Sequence, residues 1–410
     1  MAANAKTSRK ASRYAVPVVV VGVAVATVGL VPAFANASGP DLPKVTAQQL
    51  IEKIAASDTQ QLSGTAKITT DLGLPKLATG MLGGGSVSGG SADPQDKLTQ
   101  LATGTHTFKV AADGPDRQRI TFLDGKDEYS LIHNGEEVWG YDSKSNEVFH
   151  EKNAGTRAGE KGKEHKTADR LASSPAQLAD EALKAAGPTT DVSVGDTAQV
   201  AGRDAYQLVL KPKASGSTIG SVQIAVDAKT GVPLRFQVLS SAGGKPILDA
   251  GFNKVDFGKP AADTFTFTPP KGAKVKEGSD APVDGKIDKR LQDKSHGGLG
   301  SLPIPGLDGV TGGAGKGATT VLGEGWASVA RIDSGSGKGL KDFEGKANEK
   351  GAPKEAKQFL DSLGDKVTGK FGSGRVFSTR VFNALITDDG KVYVGAVTKD
   401  ALVKTANAGK

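Results

Sequence analysis

The sequence has 410 residues, 37% hydrophobic and 24% charged, and 52 Lys and Arg against 45 Asp and Glu give a formal net charge of +7. The length is enough for two domains and the apolar content for a packed core, while the absence of cysteine excludes disulfides, thiolate chemistry, Cys-containing zinc sites and a lipid-modified cysteine anchor. The basic excess is spread along the chain without interleaved aromatic residues, so no nucleic-acid partner is expected, and an anionic membrane or cell-wall surface is the more economical partner.

The first 37 residues have the pattern of a secretory signal peptide. Four basic residues between positions 6 and 13 precede an almost wholly apolar run, residues 15–34, and Ala35 and Ala37 offer small side chains at the spacing that a signal peptidase reads. The alternative is an uncleaved membrane anchor, because about twenty apolar residues are enough to span a bilayer. Both interpretations place the rest of the chain outside the cytoplasm, as a secreted, periplasmic or anchored protein.

Residues 45–57, VTAQQLIEKIAAS, are predicted to form a short helix. Thr46 is a good N-cap, and Gln49 stands three residues later, as in a capping box. The helix has one apolar stripe, which comprises Leu50, Ile51 and Ile54. A helix this short needs a surface to lie on.

Between residues 64 and 150 the apolar residues follow a period of two, which predicts consecutive antiparallel strands. Asn134-Gly135 is the firmest hairpin signal, and we expect a type I′ turn there. The Gly/Ser-rich stretch 73–94 between the first two strands is predicted to be a mobile insertion.

A second helix is predicted over residues 174–187, with Ser174 as its cap, Pro175 at its first position and Gly187 at its end. Five or six further strands follow it. This order predicts an α+β fold with one large curved antiparallel sheet, because a parallel sheet would require a helix after nearly every strand.

The C-terminal third has a different composition. Residues 277–320 are rich in Gly, Pro and charge and are predicted to be a flexible linker. Residues 321–410 then predict a small α+β domain of three strands and a closing helix, with Asp389-Gly390 as a hairpin turn.

No catalytic motif is found. The five histidines, at positions 106, 133, 150, 165 and 296, lack metal-ligand spacing. Residues 312–320 and 335–339 are glycine-rich but lack the strand and the Ser or Thr of a phosphate loop, and the acidic pairs 136–137 and 388–389 are predicted to be solvated turn charges. We therefore expect no metal, no cofactor and no enzymatic activity.

Three stretches resemble a known family: VAGRDAYQLVLKP (200–212), VQIAVDAKTGVPLRFQV (222–238) and FNKVDFGKPAADTFTFTPPKGAKV (252–275). In order and spacing they are similar to the carboxyl half of the LolA/LolB-like lipoprotein-carrier superfamily, and the stretch from residue 47 to 68 is similar to its opening helix and first strand. The resemblance covers roughly residues 44–276. It implies an incomplete, strongly curved β-barrel with helices across its open side, which encloses an apolar cavity for acyl chains.

Two features depart from simple carriers: the insertion at 73–94 and the region after residue 320. The absence of cysteine also excludes the lipid-anchored type. The stretch DDGKVYVGAVTKDALVKTA (388–406) is similar to the last strand and helix of RseB/MucB-type regulators, which pair a carrier-like domain with a small second domain and bind a membrane anti-sigma factor.

Strand alternation then names the residues expected to line such a cavity. They are Phe108, Val110, Ile120, Phe122, Tyr206, Leu208, Leu210, Val222, Ile224, Leu234, Phe236, Val238 and Phe252, with Leu50, Ile51 and Ile54 as a helical lid. The competing interpretation is that these faces pack against the helices as an ordinary core.

The sequence thus predicts a non-enzymatic carrier of lipid or lipoprotein acyl chains, with a LolA-like domain over residues 40–276. The first alternative is an envelope-sensing regulator that binds a membrane anti-sigma factor or another membrane partner through residues 321–410. A wall-associated structural protein is a further alternative.

Overall fold

The structure is a computed structural model that describes residues 39–73, 104–152, 175–277, 319–333, 339–347 and 366–409, with positions 349, 360, 363 and 364. The predicted signal segment with Ala35 and Ala37, nearly all of the 73–94 insertion and most of the linker lie outside the described residues.

The first sheet has 13 strands. They are β1 (Gln61–Thr70), β2 (Gly104–Asp113), β3 (Arg117–Asp124), β4 (Asp127–Asn134), β5 (Glu137–Asp142), β6 (Glu147–Glu151), β7 (Thr190–Val194), β8 (Ala198–Val200), β9 (Arg203–Pro212), β10 (Ile219–Asp227), β11 (Pro233–Ser240), β12 (Leu248–Asp256) and β13 (Lys274–Glu277).

The strands run in the order β13-β6-β5-β4-β3-β2-β1-β12-β11-β10-β9-β7, and β8 also pairs with β9. All pairs are antiparallel except β13 with β6, which are parallel. The two outer strands, β13 and β7, do not pair with each other, so the sheet is an incomplete barrel. The predicted fold class, a large antiparallel sheet with few helices, is confirmed.

Two helices lie on this sheet, α1 (Ala47–Ala55) and α2 (Pro175–Ala185). The predicted capping box of α1 is confirmed: the Gln49 backbone N–H donates to the Thr46 hydroxyl (3.2 Å), and the Thr46 N–H donates to Gln49 Oε1 (2.9 Å). Helix α2 begins at Pro175 as predicted, while Ser174 lies outside the described residues.

The β4–β5 hairpin forms where it was predicted, but its turn is shifted by one residue. Asn134 pairs with Glu137, so the two central residues are Gly135 and Glu136. Gly135 has φ +64°, and Asn134 is not among the described residues with positive φ. The type I′ turn predicted for Asn134-Gly135 is therefore wrong, because Asn134 still belongs to the strand ladder.

The second sheet has six strands, where three were predicted. The strands are β14 (Thr319–Leu322), β15 (Val329–Asp333), β16 (Lys366–Gly369), β17 (Gly372–Ser378), β18 (Asn383–Thr387) and β19 (Lys391–Gly395), with helices α3 (Leu340–Ala347) and α4 (Lys399–Ala408). Their order is β14-β15-β19-β18-β17-β16. The prediction missed β14 and β16, because four-residue edge strands are too short to show alternation, and it took β17 and β18 as one strand.

The second sheet docks against the strand ends of the first. Ser217 and Val397 form an isolated antiparallel bridge, and the backbone N–H of Thr398 donates to Gly216 O at 2.7 Å. At the edge strand β7, Trp326 Nε1 donates to the Thr190 hydroxyl at 2.9 Å. The two sheets therefore touch at both β7 and the β9–β10 connection.

Candidate functional site

One face of the first sheet carries a continuous apolar row. Leu208 on β9 pairs with Ile224 on β10, and Ile224 pairs with Phe236 on β11. Phe236 pairs with Ala250 on β12, and Ala250 pairs with Ile68 on β1. Residues in register across neighbouring strands share a face, so this row crosses five strands.

A second row runs beside it on the same face. Phe252, two residues from Ala250 on β12, pairs with Ala66 on β1, and Ala66 pairs with Phe108 on β2. Phe108 pairs with Phe122 on β3, which pairs with Tyr129 on β4. Because side chains two apart on a strand point the same way, both rows belong to one surface, which we call the apolar face.

Helices α1 and α2 cover the half of the apolar face formed by β9–β11. The predicted wall residues in this half form one buried cluster: Tyr206, Leu208, Leu210, Val222, Ile224 and Phe236, with Val238 half-buried beside them. The predicted lid packs into the same cluster, with Leu50 and Ile54 buried and Ile51 partly buried. Ala179 of α2 is also fully buried there.

The other half of the apolar face, on β2–β4, has a cluster of its own. Phe108 and Phe122 are buried there with Tyr129 and Leu131, and Val110 and Ile120 pack against them. Tyr129 and Leu131 were not predicted as wall residues. Their signal was available, because the two residues stand two apart in EYSLIHN and continue the alternation.

Leu234 and Phe252 lie in a third cluster with Ala205, Ala225 and Ala66. The β10–β11 register shifts between Ala225 and Val226, which places an extra residue on β11. A bulge of this kind interrupts the alternation. Leu234 is fully buried, but it does not join the cluster of Phe236 and Val238.

A buried carboxylate fixes the β10–β11 turn at the edge of the apolar face. Asp227 accepts hydrogen bonds from the backbone N–H groups of Lys229 (3.0 Å) and Thr230 (2.7 Å), and Arg203 forms an ion pair with it. Burial alone would raise the pKa of Asp227, but the bonds from Arg203 and Thr230 outweigh it and lower that pKa. The turn is therefore held in one geometry.

This turn also contacts helix α1. Gly231 has φ +78°, and a Cβ at this position would lie 2.4 Å from the carbonyl oxygen of Lys53. Ahead of the helix, the hydroxyl of Tyr206 donates to Pro43 O at 3.0 Å. Both ends of α1 are thus held by strands of the apolar face.

The opposite face of β4–β6 is closed by aromatic stacking. His150 is buried and its ring stacks on that of Trp139, with centroids 3.5 Å apart. Its Nδ1 lies 3.2 Å from Glu277 Oε2 on β13, and the ring of Phe267 is 5.5 Å from that of Trp139. His150 is therefore a packed residue on a strand face.

Nothing among the described residues forms a metal-binding group of His, Cys, Asp and Glu. The described part of the chain has a cleft of about 420 Å³ lined by Gln61, Asp113 and Phe257 among others, and another of about 500 Å³ beside α4. Neither is lined by the predicted wall residues. In the described part of the chain, no helix is long and apolar enough to cross a bilayer.

Comparison with known proteins gives three kinds of similarity. A family model described as "Predicted periplasmic protein (DUF2092)" matches residues 90–276. The outer-membrane lipoprotein carrier protein of Vibrio campbellii is 48% identical over 69 residues, which are 17% of this chain and 32% of that protein. The carrier protein of Vibrio vulnificus is 42% identical over 73 residues, 18% of this chain and 35% of that protein.

The chain resembles the LolA-like lipoprotein carriers. It spans about a third of the length of the carriers that it matches.

The solved structures that match this chain are more distant in sequence. The complex of Pseudomonas aeruginosa MucA/MucB is 14% identical, with 88% of this chain and 96% of that chain covered and a TM-score of 0.35. A LolA superfamily protein from Nitrosomonas europaea is 11% identical, with 55% and 99% covered and a TM-score of 0.22.

Proposed function

We propose that this LolA-like chain is an exported, non-enzymatic carrier that holds the acyl chains of lipids or lipoproteins against the apolar face. The observation that carries the proposal is the pair of apolar rows on a sheet that does not close. Such a surface suits a long flexible hydrocarbon and offers no reactive group. The proposal includes a removable signal at residues 1–37 and a carrier domain over residues 40–276.

Acyl binding on this face requires helix α1 to give way, because Leu50 and Ile54 occupy it. Helix α1 has nine residues, and a helix of that length has little stability of its own without a surface to pack on. An acyl chain on the apolar face would make apolar contacts in place of those that α1 makes there. A 16-carbon chain that regains about 0.8 kcal/mol per methylene would gain up to about 12 kcal/mol of burial, close to what it loses on leaving a membrane.

The test is uptake of a fluorescent 16-carbon fatty acid by the purified secreted chain, with native mass spectrometry for co-purifying lipid. We expect saturable binding of one or a few chains. A fatty acid with a photoreactive diazirine then maps the contact, and we expect labels on residues of the apolar face. Absence of both co-purified lipid and uptake would refute the proposal, as would labels confined to the opposite face.

A second candidate is a regulator that reports occupancy of the apolar face to a membrane partner through residues 321–410. One contact favours it: Trp326 packs against the same cluster as Leu50 and Ile54. An occupant of the apolar face would therefore change the surroundings of Trp326.

The sequence has two tryptophans, so a Trp139→Phe variant leaves Trp326 as the sole reporter. We expect its emission to shift when the fatty acid saturates the protein. Unchanged emission at full occupancy would exclude this coupling while leaving the carrier proposal intact.

A further inference from the structure

A cleft of about 500 Å³ lies beside helix α4 in the second sheet region. One wall is the edge strand β16, through Val367 and Thr368, and the other is α4, through Lys399, Val403 and Lys404. Val367 and Val403 are partly buried against the core of the second sheet and leave the rest of their surface to this cleft, whose rim carries lysines.

Among the described residues, strand β16 is the last strand of the second sheet and pairs only with β17. Gly369 pairs with Gly372 across a two-residue turn, and Thr368 pairs with Ser373. In an antiparallel ladder, hydrogen-bonded and non-bonded pairs alternate, and a two-residue hairpin turn is flanked by a bonded pair. The N–H and C=O of Thr368 therefore point away from β17, into the cleft.

Asn407 of α4 closes one end of this edge. Its Oδ1 accepts a hydrogen bond from the backbone N–H of Lys370 at 2.6 Å. The cleft is thus bounded at the hairpin turn, and a ligand strand would enter from the Lys366 end.

The charge of the rim indicates the kind of ligand. Lys399 and Lys404 line the cleft and Lys366 and Lys370 flank its strand, all four exposed, while the acids beside them among the described residues are Asp400 and Asp388. Lys366 lies 3.5 Å from Asp388, whereas Lys399 and Lys404 form no ion pair with another described residue. Charge complementarity favours an acidic partner.

We propose that this cleft binds an extended acidic segment of a partner protein, which adds to β16 as a seventh strand. Backbone hydrogen bonds to the Thr368 edge supply affinity in such strand addition, and alternate side chains supply specificity. Apolar side chains of the segment pack between Val367 and Val403, and the intervening carboxylates meet the lysines. The proposal does not rest on acyl binding.

The test is fluorescence polarisation of a labelled ten-residue peptide in which valine alternates with glutamate, added to the full chain. We expect saturable binding that weakens at high salt. The variant Lys399→Glu/Lys404→Glu should bind at least tenfold more weakly. Lys254→Glu/Lys271→Glu, two exposed lysines of the first sheet region, makes the same change in net charge and should leave binding nearly unchanged.

A second peptide, N-methylated at alternate residues, lacks the donors along one edge and should also bind at least tenfold more weakly. Equal losses in the two double variants would show non-specific attraction and overturn the proposal. If the methylated peptide binds as tightly as the unmethylated one, strand addition is wrong. If the unmethylated peptide does not bind at all, the proposal is wrong as well. Fatty-acid uptake should be the same in both double variants, which separates this result from failure of the carrier proposal.

Discussion

Arg380 and Asp71 stand 309 positions apart in the sequence, yet Arg380 Nη1 lies 2.5 Å from Asp71 Oδ2. The same guanidinium donates through Nη2 to Lys245 O at 2.5 Å, and the Arg380 backbone N–H donates to Leu72 O at 3.0 Å. One residue of the β17–β18 connection thus holds the end of β1 and the loop before β12 together.

We expect Arg380→Ala to loosen the docking of the two sheets. The ion pair is partly exposed, so the loss of stability should be modest, about 1 kcal/mol. Hydrogen exchange should become faster at residues 216–218 and 240–245. Arg375→Ala is the matched control, because Arg375 on β17 pairs with Glu344 on α3 and touches only the second sheet region. This control should leave hydrogen exchange in the first sheet unchanged. Equal exchange in the two variants would contradict a docking role.

Gly231→Ala should destabilise the fold by about 3 kcal/mol, because it adds the strain of a left-handed alanine to a clash with the Lys53 carbonyl. Gly202→Ala separates these causes: Gly202 has φ +75°, and a Cβ there meets nothing within 4 Å. The control should cost about 1 kcal/mol. Urea unfolding measures both, and a similar loss in the two variants would mean that the α1 contact is unimportant.

Asp227 should make the free energy of unfolding depend on pH. Because the folded state lowers the pKa of this carboxyl, its contribution is fully present above the unfolded pKa, about 3.9, and is lost as the pH falls through the lower folded value. At pH 7 we expect Asp227→Asn to lose about 3 kcal/mol, since it leaves Arg203 without its anion.

The difference between wild type and Asp227→Asn should shrink as the pH is lowered below about 4. Urea unfolding at several pH values between 7 and 2.5 measures this. Asp196→Asn, at an exposed loop position, should change stability by no more than about 0.5 kcal/mol. If the stability difference between wild type and Asp227→Asn stays constant with pH, Asp227 is not the source of the pH dependence.

Val238 and Gln237 test which face of β11 meets an acyl chain. Both are half-buried neighbours on one strand, but Val238 packs on the apolar face, while Gln237 Nε2 donates to Asp249 Oδ2 at 3.1 Å on the other. We expect Val238→Asn to weaken fatty-acid uptake about fivefold, roughly the effect of losing one apolar contact with the acyl chain. Gln237→Asn should leave uptake unchanged. Equal effects would count against the apolar face as the binding surface.

Local chemistry explains which parts of the fold were predictable. The capping box at Thr46, the start of α2 at Pro175 and the alternation along β9 and β10 depend on residues close in sequence. Pairings between distant segments leave no such pattern. The parallel pairing of β13 with β6 was missed because Lys274–Glu277 has a single apolar residue and is too short to show alternation.

The apolar face was predictable as a set of strand faces, but not as a surface. Alternation identified Phe108, Phe122 and Phe236, and only the register shows that they share rows with Tyr129 and Ala250. The β11 bulge that separates Leu234 from Phe236 is likewise invisible in a sequence that alternates without interruption. The apolar stripe on α1 shows that this helix must pack on some surface. It does not show which one, because that depends on the tertiary fold.

The pairing of β1 with β12 has a consequence for how the chain reaches its native state. Ser63 lies opposite Asp256, so the two halves of the sheet join only after about 190 intervening residues have been made. Contacts of such long sequence separation slow folding. Until β12 has been made, the segment β1–β6 is therefore a half-sheet whose β1 edge is unpaired, and such an edge is where a wrong strand or a second copy of the chain would add.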